Sequence, residues 1–407
     1  MSGVVATLLT FEGSFSLPLM VGLIILAPRI LEIVRIPMPL SALALGMLWA
    51  PYYLDPNAGA GPSLDIIATV AITMLFLFAG LEVDMRRIRQ DWRSYTVLGG
   101  SHLVVVALVG FVCLKLFLLT SKEALILAVG LVTPSAGYIL DSLGKMRLTG
   151  GEKQGVSNGA IGLEISSLIA LAVILRMDAP MELLLMAVGI GFAFFLLPIA
   201  WRALGRGFFS RVPRAEFVSM FMLAMVLAHI SKALGLYYIF GAFMTGMILG
   251  KINQEKVRPE TRDYVMAVEL ITALFIPVYF FRAGAVIPLE SLSLLSLGIG
   301  TGFTLVFFLR IAPVILSRRP ITKVSSRSSA KIALALAPTL VFGLVIADIL
   351  HKQTDIPKWL VGALIVHTLL ITILPVIVLR GEVTEMDIYH EARSSTVSGV
   401  IPLPPGV

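Results

Sequence analysis

Charge is scarce in this chain. Lys, Arg, Asp and Glu together make up 14% of 407 residues, against 57% hydrophobic, where soluble domains carry about 25% charged residues. That shortage excludes an ordinary soluble domain. Cysteine is nearly absent: Cys113 stands alone in an apolar run, which rules out an intrachain disulfide or a cysteine-built metal centre. The N-terminus has neither a basic region nor a small-residue cleavage motif, so no cleaved signal peptide is expected. No metal-ligand cluster and no nucleophile–base pair falls in the apolar segments, which argues against an enzyme and against a resident cofactor. Only 27 residues follow Arg380, and they read as a polar, Pro-ended tail rather than a nucleotide-binding domain. The net charge of +7 does not point to nucleic acid, because its distribution follows a different rule.

What the chain has in abundance is apolar runs of about twenty residues, the length that crosses a bilayer. Thirteen are expected, at 17–34, 36–54, 64–83, 95–119, 124–142, 155–175, 182–201, 216–231, 236–250, 264–287, 291–316, 332–350 and 359–379. Assigning the connecting segments to alternate sides puts 24 Lys and Arg on one side and 5 on the other, with Lys115, Arg282 and Arg310 inside spans. Cytoplasmic loops concentrate basic residues, so the pattern predicts an all-α, multi-pass protein of the cell (inner) membrane, N-terminus outside and C-terminus inside. The Arg86-Arg87-Ile88-Arg89 cluster is one such topology determinant.

The spans repeat. Gly46-Met47 of span two recurs as Gly246-Met247 of span nine, and Ile72-Thr73 through Ala79-Gly80 of span three as Ile271-Thr272 through Ala283-Gly284 of span ten. Pro134 of span five and Pro338 of span twelve are separated by 204 residues, as are the two Ala-Gly pairs. Seven spans separate each pair, and an odd number inverts the second copy. The expected organisation is a short extracytoplasmic segment (1–16), a transmembrane domain (17–380) and a cytoplasmic tail (381–407). Within the domain lie repeat 1 (17–175), a linker helix (182–201) and repeat 2 (216–379). Inverted repeats with prolines at matching places point to broken helices crossing near the midplane.

Glu164 is the sharpest chemical signal. It is the one charge between Gly155 and Leu175, and a rise of ~1.5 Å per residue places it ~13 Å from the nearer end of its span. A charge there costs ~2.5–3.5 kcal/mol even on a lenient insertion scale and marks function by default. Ser157, Ala160, Glu164 and Ser167 share one helix face, so small or polar atoms line the acid. A proton and a cation can compete for such a group. Thr133-Pro134-Ser135 and Ala337-Pro338-Thr339 interrupt spans five and twelve; each proline withdraws a backbone donor and frees carbonyls for a dehydrated cation. Thr133, Ser135, Ser167 and Thr339 offer hydroxyl ligands. Arg310, ~10 Å from the cytoplasmic end of span eleven, can snorkel to that face, or can neutralise helix-end dipoles or Glu164. Arg282 and Glu269 sit within snorkelling reach of span ends, and Lys115 reads as interfacial. His102 and His367 read as hydrogen-bonded packing residues rather than proton relays.

These residues lie in a wider likeness. Phe76-Leu77-Phe78-Ala79-Gly80-Leu81-Glu82-Val83-Asp84 with the arginines after it, Gly241 to Leu249, and Leu274 to Phe281 resemble the monovalent cation:proton antiporter-2 family across the membrane region. The resemblance implies an Na⁺/H⁺ antiporter-like fold. It also implies a lipid-embedded homodimer and a moving six-helix core of spans four to six and eleven to thirteen. It implies exchange of Na⁺ or K⁺ for H⁺ by alternating access. Glu164 falls on the family's ion-binding aspartate, Thr133, Pro134 and Ser135 on its broken-helix motif, and Arg310 near its core basic residue. Three departures stand out: Leu163 replaces a polar residue, the acid is Glu, and Ala337-Pro338-Thr339 replaces an Arg-Gly-Glu-like patch. A lone acid with an arginine resembles the electroneutral members. A sodium-coupled organic-anion symporter of related fold, and a channel-like, sensory or non-exchanging relative, stay open at this level. The expected metal is the transported monovalent cation alone.

Overall fold

A computed structural model describes residues 16–33, 37–53, 60–208, 211–212, 215–234, 237–255, 259–318 and 326–379. The expected tail and the extreme N-terminus lie outside the described residues. The first helices are α1 (Ser16–Ile33), α2 (Met38–Tyr53), α3 (Ala60–Leu81), α4 (Met85–Gln90), α5 (Trp92–Phe117), α6 (Ser121–Val132), α7 (Ala136–Ser142), α8 (Gly150–Leu175) and α9 (Pro180–Gly207). Then come α10 (Ala215–Ala233), α11 (Ile239–Glu255), α12 (Pro259–Ala285), α13 (Leu294–Phe303), α14 (Val306–Arg318), α15 (Ser326–Ala335), α16 (Leu340–Gln353) and α17 (Lys358–Val378). Each of the thirteen expected spans coincides with one helix or one helix pair. Among the described residues nine are long and apolar enough to cross a membrane, and the bent pair Ser328–Ala335 with Leu340–Gln353 makes a tenth. Helices α2 and α11 carry shorter apolar stretches, Met38–Ala50 and Ile239–Ile252.

Local chemistry sets the boundaries. Thr120 with Glu123 and Thr149 with Glu152 form capping boxes that start α6 and α8, each satisfying two orphan backbone donors. Span eleven, expected to be continuous, is two helices: a tight turn at Thr304–Leu305, with Leu305 N–H donating to Gly302 O at 3.0 Å, separates α13 from α14. Arg29 closes a gap left by a proline inside α12. Pro277 has no N–H for the Ala273 carbonyl one turn earlier, and the Arg29 guanidinium donates to that oxygen at 2.6 Å.

The chain divides into two compact units. One holds residues 1–82, 196–233 and 237–289, which among the helices means α1–α3 and α10–α12. Two of its main helix crossings are copies of each other. Gly46 of α2 lies on the Phe281 carbonyl and Ala285 N of α12; Gly246 of α11 lies on the Leu77 carbonyl and Leu81 N of α3. The return contacts match too: Gly284 meets Leu43 O, and Gly80 meets Phe243 O. Small residues let backbones approach closely in lipid, where no hydrophobic drive pulls helices together. The offsets of 200 and 204 residues seen in the sequence therefore describe real pseudo-symmetry. In the same unit Arg282 Nε donates to Asp65 Oδ1 at 2.7 Å, joining α12 to α3. An ion pair accounts for Arg282 better than snorkelling does.

The other unit holds residues 83–195, 234–236 and 290–407. Its helices are α4–α8, the first part of α9 (180–195) and α13–α17; without α4 and α9 these are the six spans that the family resemblance groups as a core.

Side chains at the glycine crossings have nowhere to go. Gly46→Val and Gly246→Val are each expected to lower stability by about 1–3 kcal/mol through overpacking, and by similar amounts because the sites are repeat-related. Thermal unfolding in detergent measures this; two variants as stable as the parent would refute the close approach.

A candidate ion site where two helices break

Span five stops at Val132 and restarts at Ala136; span twelve stops at Ala335 and restarts at Leu340. In a membrane every helix end so created needs partners for its bare backbone groups. The first break bonds to the second. Ser135 N–H donates to Pro338 O at 2.9 Å, and the Ser135 hydroxyl accepts from Phe342 N–H at 3.0 Å. Phe342 N and Pro338 O stand four residues apart and would bond each other in an unbroken helix. Ser135 takes the place of that bond on both sides.

The end of α6 is served differently. Its carbonyls at Gly130, Leu131 and Val132 would ordinarily receive the N–H groups of residues 134, 135 and 136. Pro134 has none. Ser135 N–H goes to Pro338, and Ala136 N–H donates to the Glu164 carboxylate. Leu131 O regains a donor from His367 Nε2 of α17 at 3.1 Å. Thr133 closes the last turn: its N–H and its hydroxyl both donate to Val129 O, at 3.0 and 2.6 Å. The Thr133 hydrogen being so used, the Ser167 hydroxyl 2.9 Å away donates to Thr133 Oγ1 and accepts from His102 Nε2 at 2.7 Å.

The end of α15 carries the second buried cap. Arg310 of α14, 8% exposed, donates from Nη1 to Ala337 O and from Nη2 to Leu336 O, each at 2.7 Å. Of the roles the sequence allows Arg310, the buried guanidinium takes the helix-end one rather than snorkelling, and among the described residues it forms no ion pair with Glu164. Thr339, whose hydroxyl lies 3.5 Å from Thr368 Oγ1, is buried beside the same break.

Glu164, 2% exposed, is therefore in an unusual position. One carboxylate oxygen accepts from the Ala136 N–H at the start of α7, while Oε2 is buried with no partner. The other buried acid among the described residues, Glu152, is accounted for by its capping box and by Lys331 Nζ at 3.6 Å.

Broken helices that bond to each other, a buried acid with an unpartnered oxygen, and glycine crossings at matching positions describe one kind of membrane transporter. Residues 19–384 match the sodium/hydrogen exchanger transmembrane family. The chain belongs to that family. It is similar to the "Probable Na(+)/H(+) antiporter 3" of Methanocaldococcus jannaschii, 21% identical over 276 residues, covering 65% of this chain and 69% of that protein. It is also similar to the "Probable Na(+)/H(+) antiporter GerT" of Bacillus cereus, 22% identical over 266 residues, with 63% and 69% covered. Among solved structures, the sodium proton antiporter MjNhaP1 from M. jannaschii at pH 8 shares the fold, with a TM-score of 0.67 at 17% identity over 88% of this chain and 94% of that one. An electron-microscopy structure of MjNhaP1 aligns over 97% and 100% with a TM-score of 0.65.

In this exchanger the residues singled out from sequence converge. Glu164, Thr133, Pro134, Ser135 and Ser167 gather at the first break, Pro338, Thr339 and Arg310 at the second, and Ser135 joins the two. Ser167 and Thr133 are spoken for by hydrogen bonds, so their hydroxyls are shared rather than waiting. Three contributors went unseen in the sequence: the Ala136 N–H, the bond from His367 to Leu131, and Thr368. The last two carry a signal in hindsight, because the 204-residue offset maps Leu163 onto His367 and Glu164 onto Thr368.

Removing the Arg310 cap exposes two carbonyls to a dry interior at about 1–3 kcal/mol each. Thermal unfolding should rank parent above Arg310→Lys above Arg310→Leu, since an ammonium is a point donor and cannot span both oxygens as the guanidinium fork does. A leucine variant as stable as the parent would refute the capping role.

Proposed function

We propose that this protein exchanges a monovalent cation, Na⁺ or K⁺, for H⁺ across the cell membrane by alternating access, with Glu164 as the shared site. The observation that carries the reading is the bare Oε2 of a carboxylate buried to 2% exposure. A buried oxygen of that kind is costly without a partner, and a bound proton or a bound cation each supplies one. Glu164–COOH meeting Na⁺ becomes Glu164–COO⁻·Na⁺ with release of H⁺, so charge and atoms balance within one site.

The surroundings fit a dehydrated cation. The carbonyls of Gly130 and Val132 have lost their helical donors, and the hydroxyls of Thr133, Ser135, Ser167 and Thr339 lie along the two breaks. Oxygen ligands of this kind suit hard cations. The Ala136 N–H holds the carboxylate in place whichever ion it carries. Arg310 offsets the negative C-terminal end of α15 and keeps a fixed positive charge near the crossing throughout the cycle. With one exchanging acid and one fixed cation, the exchange moves one positive charge each way and is electroneutral. An organic-anion substrate would need a free basic ligand, and both Arg310 Nη groups are already engaged.

The working unit is a lipid-embedded homodimer with N-termini outside and C-termini in the cytoplasm. The helices α5–α8 and α13–α17 carry the site between the two faces, and 17–175 and 216–379 form the two inverted repeats.

In proteoliposomes with an imposed pH gradient, added Na⁺ or K⁺ should dissipate the gradient while choline does not, and Glu164→Gln should abolish the response. Exchange that persists in this variant would sink the mechanism. A valinomycin-clamped potential should leave the parent rate unchanged, because an electrogenic exchanger feels about 2.3 kcal/mol per charge per 100 mV. Conductance exceeding coupled flux would instead mark a channel.

A further inference from the structure

We propose that His367 is a positioning residue that sets the cation affinity of the Glu164 site by fixing the broken end of α6. The proposal rests on Glu164 being the exchange site. Its geometric basis is the count of backbone groups at that end. Three successive carbonyls, Gly130, Leu131 and Val132, lose their helical donors, and Leu131 alone regains one, from a side chain on the other repeat. The bond is directional. A carbonyl only accepts, so Nε2 carries the hydrogen and the imidazole is fixed in that tautomer. His367 is fully buried, its ring set edge-on to Phe303 at 6.5 Å and 84°, and Nδ1 has no partner. No neighbour other than Leu131 explains the hydrogen-bonding side of this ring.

The position matters because of what flanks it. Leu131 O lies between the two carbonyls proposed as cation ligands, and Thr133 follows two residues later. On the far side of the gap, Glu164 holds the first N–H of α7. The three-residue break is therefore held at one end by the exchanging acid and at the other by His367. Releasing the His367 end lets the last turn of α6 rotate, and ligand oxygens displaced by a fraction of an ångström bind a small cation less well. Arg310 does the comparable job at α15 with a full charge. His367 does it without one, so no second fixed cation opposes Na⁺ at this end. The two repeats differ here: the mate of His367 by the 204-residue offset is the apolar Leu163.

The test is a split between apparent affinity and maximal rate in proteoliposomes. His367→Leu, which keeps the bulk and loses the donor, should raise the KM for Na⁺ about tenfold, equal to ~1.4 kcal/mol, with the maximal rate within about twofold. His367→Gln, whose amide can still donate to Leu131, should return KM to within about twofold of the parent. An unchanged KM in His367→Leu, or a folded His367→Gln that does not recover, overturns the proposal. If His367→Leu fails to fold, His367→Asn, too short to reach the carbonyl, takes its place. Should the parent itself show no cation-driven exchange, the Glu164 reading fails instead. Amide hydrogen exchange over residues 131–136 then decides the positioning claim: faster exchange in His367→Leu supports it, and an unaltered rate overturns it.

Discussion

The structure depends on one rule of the bilayer: a backbone N–H or C=O in hydrocarbon must find a partner within the protein. A continuous helix meets that demand alone. Three spans are interrupted here; the turn in span eleven keeps bonds within its own chain segment, and the cuts in spans five and twelve create ends with no internal solution. The side chains that repair these ends are the ones that give the core its chemistry. Ser135 repairs the start of α16, Arg310 the end of α15, His367 the end of α6, and Glu164 the start of α7. The repairs by Ser135 and Arg310 leave no buried side-chain atom without a partner, and the repair by His367 leaves only the Nδ1 of a neutral ring. The fourth employs a carboxylate, which has two oxygens for one N–H.

That surplus oxygen is what supports reading Glu164 as more than a structural cap. A serine or asparagine could accept from Ala136 equally well and would cost less to bury. A glutamate is longer than such a cap requires, and at this depth it carries a penalty that local architecture does not recover. Guanidinium and carboxylate belong to different ends of different half-helices and, among the described residues, do not pair with each other.

Much of this was legible in the sequence. Span positions follow from apolar length, and thirteen expected segments match thirteen helices or helix pairs. The repeat was visible because close helix approach in lipid demands glycine, and glycine is easily recognised: Gly46, Gly80, Gly246 and Gly284 mark both crossings. Glu164 and the two prolines stood out because lipid makes a charge or a missing donor conspicuous. What stayed hidden is contact between residues far apart in the chain. Nothing in the order of residues says that Ser135 reaches Phe342, that Arg29 serves Ala273, or that His367 serves Leu131. The turn at Thr304–Leu305 was also invisible, since neither residue is a strong helix breaker. His102 and His367 were read correctly as hydrogen-bonded, but the partners decide what such bonds do, and partners are a property of the fold.

The double bond made by Ser135 has a mechanical meaning. By giving its N–H to Pro338 and accepting from Phe342, it splices the two interrupted helices into each other, so neither break can be shifted along the membrane normal without the other. A core built this way couples the two breaks, where two independent half-helix pairs could shift separately. On the exchange proposed above, an ion at Glu164 would travel with the whole crossing rather than by the flexing of its parts.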